Sequence, residues 1–289
     1  MSAIILDGKT TAKKWVQSIA DRVERFRFPS IKIIMVGEDP ASEVYVRNKV
    51  KDCAECKFAH EVIRFNESDD YKDVIALIKK LNRDTTTTAI MVQLPLPKSW
   101  STHTSEILNT INPLKDVDCL TAVNLGKITM GHCNIMDHPY TPCTVNGIIA
   151  LLNEYNINKF SGKNVCIIGR SNIVGKPMAL VAMENNATVT ICHSYTKDIK
   201  KYTIDADYLI NCANKLNMVT EDMVKENAIV IDVSTIRGED GKLHGGVDFD
   251  KVKEVASYIT PVPGGIGPMT RAALMENISM SAIYSVSAI

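Results

Sequence analysis

The chain has 289 residues, and its 33 basic and 33 acidic side chains give a formal charge of zero. Hydrophobic residues make up 45% and charged residues 23% of the chain, a globular composition that excludes wholesale disorder. A neutral chain has no overall attraction for polyphosphate, and no apolar run reaches the roughly 20 residues of a spanning helix. We therefore expect neither a nucleic acid nor a membrane as the main partner.

Short β-branched runs alternate along the chain with longer helical patterns. Strands are predicted at residues 31–36, 89–93, 164–168, 187–192, 208–212 and 229–233. Helices are predicted at residues 10–26, 42–57, 71–83, 144–155, 176–184, 221–226 and 270–285. This alternation is typical of parallel sheets covered by helices, so the predicted fold class is α/β.

Two domains are predicted, because glycine and proline interrupt the pattern twice. They punctuate residues 126–143, and the Pro-Val-Pro-Gly-Gly-Ile-Gly-Pro run at 261–268 is predicted to be irregular. We expect the last helix to return to the first domain. One domain would then comprise residues 1–141 and 268–289, and the domain inserted in it residues 142–267.

The cysteines and the first residues bear on the cellular compartment. The eight cysteines are scattered and lie mostly in apolar surroundings, so thiols are expected rather than disulfides. The first 15 residues lack the apolar core of a signal peptide. These features predict a cytoplasmic protein, with an organelle matrix as the alternative.

A glycine turn after the predicted strand 164–168 indicates a phosphate-binding site. Gly169 and Gly175 flank Arg170 and Ser171, and a helix follows. Glycines let the backbone approach a phosphate, and a helix N-terminus supplies N–H donors. The spacing is not the usual dinucleotide fingerprint, so a plain tight turn is the alternative.

The end of the next predicted strand favours NADP over NAD. An NAD site usually places Asp or Glu there to accept from the ribose 2′-OH, whereas this strand ends in His193-Ser-Tyr-Thr196. Ser194 can donate to a 2′-phosphate, and Arg170 can pair with it. The alternative is that Arg170 is an exposed loop cation and Ser194 a turn residue.

The helix predicted at residues 42–57 carries a candidate proton-transfer residue. Tyr45 and Lys49 are four residues apart and share a face beside the apolar stripe of this helix. A partly buried lysine gives up its proton more readily, and a tyrosine offers a flat surface for a ring. Taken alone, a half-exposed tyrosine and a lysine reaching to solvent are the simpler interpretation.

Two further segments place polar groups where ligands gather in α/β proteins. The strand predicted at 89–93 ends in Gln93, and the carboxyl ends of parallel strands are the usual ligand sites. Gln93 can hydrogen-bond Lys49 and hold it in place. In the Lys115-Asp-Val-Asp118 loop, a carboxylate suits the edge of an amino-pyrimidine. Taken alone, Gln93 is also explained as an amide at the end of a strand, and the aspartate of the loop as part of an Asx turn.

Together these motifs resemble the bifunctional methylenetetrahydrofolate dehydrogenase/methenyltetrahydrofolate cyclohydrolase family. The matching pieces occur in family order and cover almost the whole chain. They are Glu38-Asp-Pro-Ala-Ser42 with Tyr45, Val46 and Lys49, then Val92-Gln-Leu-Pro-Leu-Pro97, Lys115-Asp-Val-Asp118, Pro142-Cys-Thr144, Gly169-Arg-Ser-Asn-Ile-Val-Gly-Lys-Pro177, Cys192-His-Ser194 and Thr260-Pro-Val-Pro-Gly-Gly-Ile-Gly-Pro-Met-Thr270.

The resemblance implies two reactions of one-carbon metabolism. One is oxidation of 5,10-methylenetetrahydrofolate with NADP, and the other is hydrolysis of the methenyl product to 10-formyltetrahydrofolate. It also implies a folate-binding catalytic domain, a Rossmann-like NADP-binding domain, a cleft between them, and a homodimer. The alternatives are a dehydrogenase with weak cyclohydrolase activity and a non-enzymatic folate or nucleotide sensor.

The resemblance also implies a role for each matched residue. Lys49 would transfer the proton in the cyclohydrolase step, and Gln93 would orient Lys49. Tyr45 would stack on the aminobenzoyl part of folate, and Asp118 would bind the edge of its pterin ring. The other implied substrate contacts are Val46, Val92, Leu94, Pro263, Gly264 and Gly265. The implied cofactor contacts are Gly169, Arg170, Ser171, Ser194 and Thr235.

The chain departs from the family pattern at four places, and one of them is Val145, which stands where a proline usually follows Pro-Cys-Thr. Cys119 stands where a glycine usually follows Lys-Asp-Val-Asp. Ala213-Asn-Lys-Leu216 replaces the usual Val-Gly-Lys-Pro, and Asp232-Val-Ser-Thr-Ile236 replaces Asp-Val-Gly-Ile-Asn. Side chains in place of glycine at the last two sites are expected to reshape the cofactor pocket.

No metal is expected. Cys53 and Cys56 form a single CxxC on a predicted helix, where packing into the core is the better interpretation. A second group of possible metal ligands consists of His132, Cys133, Asp137 and His138. Its spacing matches no common ligand pattern, so a metal is not expected there either.

Overall fold

The computed structural model of the chain describes residues 2–23, 29–131 and 140–287. The possible metal ligands at residues 132–138 therefore lie outside the described residues. The chain forms two compact units. The six-stranded unit comprises Met1–Lys13 and Thr144–Thr270, and the three-stranded unit comprises Lys14–Cys143 and Arg271–Ile289.

Strands and helices alternate through most of both units. The strands are β1 (Ile4–Ile5), β2 (Ser30–Val36), β3 (Ala59–Phe65), β4 (Ala89–Val92), β5 (Asn164–Ile168), β6 (Thr188–Cys192), β7 (Tyr208–Asn211), β8 (Ile229–Asp232), β9 (Ile236–Arg237), β10 (Leu243–His244) and β11 (Tyr258–Ile259). The helices are α1 (Gly8–Val23), α2 (Pro40–Glu55), α3 (Tyr71–Arg83), α4 (Thr104–Asn109), α5 (Ala122–Thr129), α6 (Cys143–Glu154), α7 (Gly175–Glu184), α8 (Lys200–Thr203), α9 (Phe249–Val252) and α10 (Ile266–Ser287).

The six-stranded unit is built on a parallel sheet with the order β1-β11-β8-β7-β5-β6. Its central strands β5, β7 and β8 are buried along nearly their whole length, as expected for strands covered on both faces. The chain passes from β5 to β6 on one side and then to β7 on the other. This reversal opens a crevice at the carboxyl ends of β5 and β7, where open α/β sheets bind ligands.

The three-stranded unit repeats this arrangement on a smaller scale. Its parallel sheet has the order β3-β2-β4, so β2 is the central strand and the chain places β3 on one side of it and β4 on the other. Ile34 on β2 and Ile90 on β4 pack with Ile78 of α3 and with Trp100 in a buried core. The carboxyl ends of β2 and β4 again mark the place where a ligand site is expected.

The first residues belong to the six-stranded unit, which differs from the predicted grouping of residues 1–141. Ile4 pairs with Tyr258 and Ile5 with Ile259, so β1 forms the edge of the larger sheet. A two-residue strand carries too little hydrophobic pattern to predict such a pairing.

Two local predictions are wrong. Residues 221–226 form only a 3₁₀ turn at Glu221–Met223, and the backbone is already extended at Val224. Residues 261–268 are not irregular throughout, because α10 begins at Ile266. Pro268 is tolerated there since the N–H groups of a first helical turn have no helical partner.

The longest helix of the described residues, α10, carries Arg271 and Glu276 between its apolar positions. Within the described parts of the chain, no helix combines the length and the apolar character that crossing a bilayer requires.

Candidate active site

Helix α2 brings Lys49 to the end of strand β4. The helix begins at Pro40, and the carboxylate of the preceding Asp39 accepts a hydrogen bond from the Ser42 backbone N–H at 2.7 Å. This cap satisfies one of the donors that a helix start leaves unpaired. Val46 and Cys53 are buried on the inner face of α2, and Lys49 lies half-buried beside them.

Lys49 is held by an amide rather than by a carboxylate. Its Nζ donates to Gln93 Oε1 at 3.0 Å and lies 3.2 Å from Met91 Sδ. Gln93 is itself 8% exposed, and its Nε2 donates to the Leu94 carbonyl at 2.6 Å, which turns the amide oxygen towards Lys49. The predicted Lys49–Gln93 hydrogen bond is therefore present, and it fixes Nζ without adding a negative charge.

The other residues matched on α2 and β4 differ in exposure. Tyr45 lies one turn before Lys49 and is 44% exposed, so its ring is accessible. Val46 and Val92 are each 2% exposed and belong to the core, whereas Leu94 is half-buried after the strand. Among these four residues, only Tyr45 and Leu94 therefore offer side-chain surface to a ligand.

A loop held by several hydrogen bonds carries Asp118. Asp116, two residues earlier, is buried, and its carboxylate accepts from the backbone N–H of Thr121 at 2.8 Å and of Leu120 at 3.2 Å. Asn124 Nδ2 donates to the same carboxylate at 2.9 Å. Burial raises the pKa of Asp116 despite these donors.

The neighbouring Lys115 anchors the same loop from its other end. Its Nζ donates to the carbonyls of Leu81 and Asp84, each at 2.8 Å, and burial lowers the pKa of this lysine. The loop is thus tied to the end of α3, and Asp118 stands half-buried beyond it.

The charges of Lys49 and Asp118 both act on the thiol of Cys143. Its Sγ is 3.5 Å from Asp118 Oδ1 and 3.4 Å from the Val117 carbonyl. Burial and then the Asp118 carboxylate raise the pKa of this thiol well above its usual value, while Lys49 acts in the opposite direction. The structure thus brings Lys49 and Asp118, which are 69 residues apart in the sequence, into one electrostatic neighbourhood.

Asn277 of α10 supports this neighbourhood and was not identified from the sequence. Its Nδ2 donates to the carbonyls of Val117 at 2.8 Å and Thr141 at 2.9 Å. An asparagine within a helical pattern carries no signal for such a role. Cys143 and Met91 were likewise missed as site residues, because both look like ordinary core residues in the sequence.

The backbone at Cys119 has a conformation that glycine adopts more easily than cysteine does. This residue has a φ of +59°, in the left-handed region that favours glycine. Cys119 is buried, and its Sγ donates to the Tyr140 carbonyl at 3.6 Å. The chain therefore keeps the turn with a side chain that packs inwards.

The Pro263-Gly264-Gly265 segment lies in the six-stranded unit, unlike the other predicted substrate contacts. Gly264 has a φ of +112°, and its carbonyl accepts from the Lys9 backbone N–H at 2.9 Å. A Cβ on Gly8 would lie 1.9 Å from the Gly265 carbonyl oxygen. The segment is thus held tightly against the start of α1.

The glycine turn after β5 is as tight as its sequence predicts. Gly169 has a φ of +123°, and its N–H donates to the Cys192 carbonyl at 2.8 Å. A Cβ on Gly175 would lie 2.2 Å from the Gly169 carbonyl oxygen, so a side chain has no room there. The backbone therefore doubles back closely before α7 begins.

A cavity of about 530 Å³ opens at the carboxyl ends of β5, β6 and β7. It is lined by Ile168, Gly169, Arg170, His193, Ser194, Thr196, Ile199, Ala213, Lys215 and Met218. Two cations and two hydroxyls suit phosphate groups, and the apolar side chains suit flat rings, so the lining fits a dinucleotide.

The five predicted cofactor residues do not all line this cavity. Gly169, Arg170 and Ser194 do, and the Arg170 guanidinium lies 5.7 Å from the ring centre of Tyr195. Ser171 instead accepts from the Val174 backbone N–H at 3.2 Å, within the turn itself. Thr235 is exposed beyond the end of β8.

Two family models match the chain. Residues 6–118 match the catalytic domain of tetrahydrofolate dehydrogenase/cyclohydrolase, and residues 142–286 match the NAD(P)-binding domain of the same family. The bifunctional protein FolD of Sulfurihydrogenibium sp. is 46% identical over 280 residues, covering 95% of both chains. The FolD of Lactococcus lactis subsp. cremoris is 46% identical over 278 residues, covering 94% of both.

Solved structures agree with these sequence matches. The bifunctional FolD of Campylobacter jejuni has a TM-score of 0.92 and 41% identity, over 98% of this chain and 99% of that one. The Trypanosoma brucei enzyme, complexed with NADP and an inhibitor, has a TM-score of 0.92 and 32% identity, over 99% of both chains. The chain therefore belongs to the tetrahydrofolate dehydrogenase/cyclohydrolase family, with a catalytic and an NAD(P)-binding domain.

Proposed function

We propose that this chain is a bifunctional enzyme that oxidises 5,10-methylenetetrahydrofolate with NADP and hydrolyses the methenyl product to 10-formyltetrahydrofolate. The observation that carries this proposal is the hydrogen bond from Lys49 to Gln93, at the carboxyl end of β4 in a member of this family. An amine fixed in one position favours an enzyme over a sensor, because proton transfer depends on such positioning.

Lys49 is the proposed proton-transfer residue of the hydrolysis. Water adds to the methenyl carbon and loses a proton. One carbon–nitrogen bond then breaks as that nitrogen gains a proton, and the remaining hydroxyl proton leaves to solvent as the formyl C=O forms. Nζ of Lys49 can accept the first proton and return the second, because Gln93 keeps it in one position. Tyr45 offers its exposed ring to the aminobenzoyl part of folate, and Asp118 its carboxylate to the pterin edge.

We also propose that Val46, Val92 and Leu94 shape the folate site, and that Pro263, Gly264 and Gly265 bound it. The domains would be residues 1–141 with 268–289 for folate and 142–267 for NADP, with the first residues adding an edge strand to the larger sheet. A cleft between the domains remains a prediction of the resemblance.

The oxidation depends on alignment more than on an acid, because the folate nitrogens stabilise the cation that forms. When bound, NADP supplies the oxidising power by accepting a hydride from the one-carbon bridge. Gly169, Arg170, Ser171, Ser194 and Thr235 are the proposed residues that hold it. The glycine turn can bring backbone N–H groups to its phosphates, and Arg170 with Ser194 can bind the 2′-phosphate.

We propose a cytoplasmic location and a homodimer. The cysteines of the described segments form no disulfide, and six of these seven are buried, which favours a reducing compartment. The homodimer follows from the resemblance alone. Light scattering on the purified chain tests it, and a particle of one chain's mass would contradict it.

Two absorbance assays on the purified chain test the proposed function. We expect NADPH to form with 5,10-methylenetetrahydrofolate, and the methenyl compound to decay faster than its uncatalysed hydrolysis. NADPH formation without faster decay would identify a monofunctional dehydrogenase. Absence of both activities in a chain that binds folate or NADP would identify a sensor.

A further inference from the structure

Two departures from the family pattern lie at neighbouring strand ends in the six-stranded unit. Asn214 follows β7 and Ser234 follows β8, each where the family usually has glycine. Side chains at these positions were expected to reshape the cofactor pocket. Ser234, however, is 2% exposed and turns into the protein, away from open space.

The Ser234 hydroxyl completes a buried polar network around Asp232. It donates to Asp232 Oδ1 at 2.6 Å and accepts from the Gly246 backbone N–H at 2.5 Å. Asn211 Nδ2 donates to the same carboxylate oxygen at 3.1 Å, and the Val247 N–H donates to the other at 2.9 Å. A carboxylate 2% exposed is thus satisfied by neutral donors, so each donor matters to its neighbours.

The network reaches the cavity lining at Ala213, and a second asparagine ties the two strand ends together. Asn211 Oδ1 accepts from the Ala213 backbone N–H at 3.2 Å, and Ala213 lines the cavity. Asn214 Oδ1 accepts from the Thr235 backbone N–H at 3.1 Å, which joins the two strand ends directly. Thr235 is a proposed cofactor residue.

The backbone packs closely against the side chains of this network. A Cβ on Gly246 would lie 2.4 Å from Asn211 Nδ2 and 2.9 Å from Ser234 Oγ. A Cβ on Gly245 would lie 2.2 Å from Asp232 Oδ2. The backbone that follows β10 therefore closes directly onto the polar side chains.

We propose that Asn214 and Ser234 are positioning residues that lock segment 234–236 onto segment 213–216, the wall of the cofactor cavity that carries Ala213 and Lys215. Glycine at these two positions would leave the backbone more conformational freedom, whereas Asn214 and Ser234 form hydrogen bonds that restrict it. This inference rests on the proposed function, since it concerns the NADP site. A wall held in its binding conformation lowers the ordering cost of binding.

Asn214→Gly and Ser234→Gly test the proposal, with Asn217→Gly as the matched control. Asn217 is an exposed asparagine directly after segment 213–216, and its φ of +49° is one that glycine adopts easily. Ser234→Gly opens a buried network, so Asn214→Gly, on the surface, keeps the test valid if that variant does not fold.

The first measurement is amide hydrogen exchange without cofactor. We expect Asn214→Gly to speed exchange at Thr235 and Ser234→Gly to speed it at Gly246, with Asn217→Gly matching the parent chain at both amides. The second is calorimetric titration with NADP, where each test variant should weaken binding about 3- to 10-fold, the loss of one hydrogen bond.

Kinetics then separate positioning from general destabilisation. KM for NADP should rise in both test variants, whereas cyclohydrolase activity measured without NADP should equal that of the parent chain. Unchanged exchange, or faster exchange with unchanged NADP affinity, would overturn the inference. A parent chain without either activity would instead refute the proposed function, and exchange and titration would still decide this inference.

Discussion

At the scale of single residues, the partner of Lys49 sets what this amine can do. Gln93 holds Nζ at 3.0 Å through a neutral oxygen, and its own amide nitrogen is committed to the Leu94 carbonyl at 2.6 Å. The acceptor is therefore fixed in both position and orientation. A carboxylate in its place would favour the charged amine and keep its proton bound.

Replacing Gln93 by alanine removes this support. We expect cyclohydrolase kcat to fall about 10- to 100-fold, within the range of contributions from positioned proton transfer, and dehydrogenase activity to fall less. Methenyl decay and NADPH formation measure the two. Gln17→Ala is the control, because Gln17 is also hydrogen-bonded, but only to the exposed Asp21. Equal losses in both reactions would argue against a specific role in proton transfer.

Arg170 is the residue on which the choice between NADP and NAD is proposed to depend. It lines the cavity with Ser194 and carries a full positive charge. We expect Arg170→Ala to raise KM for NADP about 10-fold, the loss of one charge-assisted hydrogen bond, with little change for NAD. Initial rates with each cofactor measure this. A similar rise for both cofactors would remove Arg170 from the recognition of the 2′-phosphate.

At the scale of elements, an ion pair between a buried carboxylate and a half-buried arginine joins α2 to α10 within the three-stranded unit. Asp52 is 7% exposed, and its Oδ2 lies 3.4 Å from Arg271 Nε. Burial raises the pKa of Asp52 to about 6, and the charge of Arg271 only partly opposes this. The folded state therefore binds this proton more tightly than the unfolded chain does, whose pKa is near 3.8.

The sign of the pH dependence follows. Between about pH 4 and pH 6 the folded state holds more protons, so this group's contribution to stability falls as pH rises. Asp52→Asn mimics the protonated form, and we expect it to raise the free energy of unfolding at pH 8 by about 1–3 kcal/mol. Urea unfolding at several pH values measures this. A gain that stays the same below pH 4 would contradict the assignment.

The elements themselves were predictable to different degrees. Buried strands such as β5 and β8 are almost continuously apolar, so their sequences predict them. The edge strand β3 was missed, because its exposed positions carry His60, Glu61 and Arg64 and break the hydrophobic pattern.

At the scale of the whole molecule, the sequence predicts what lies close together along the chain or at strand ends. Tyr45 and Lys49 share a helix face, and Gln93 ends a strand, so their proximity could be anticipated. Asn277 contacts Val117 across 160 residues of sequence. The network around Asp232 gathers groups from the ends of β7 and β8 and from the segment after β10, and the Asp232 N–H also donates to Thr260 Oγ1. Such contacts arise only when the chain has folded.

Lys49→Ala gives the most direct test of the central claim, that the amine fixed by Gln93 transfers the proton during hydrolysis. The account predicts that methenyl hydrolysis falls at least about 100-fold while NADPH formation is partly retained. Lys51→Ala, which removes an exposed lysine of the same helix, should change neither reaction. Full retention of hydrolysis in Lys49→Ala would contradict the account.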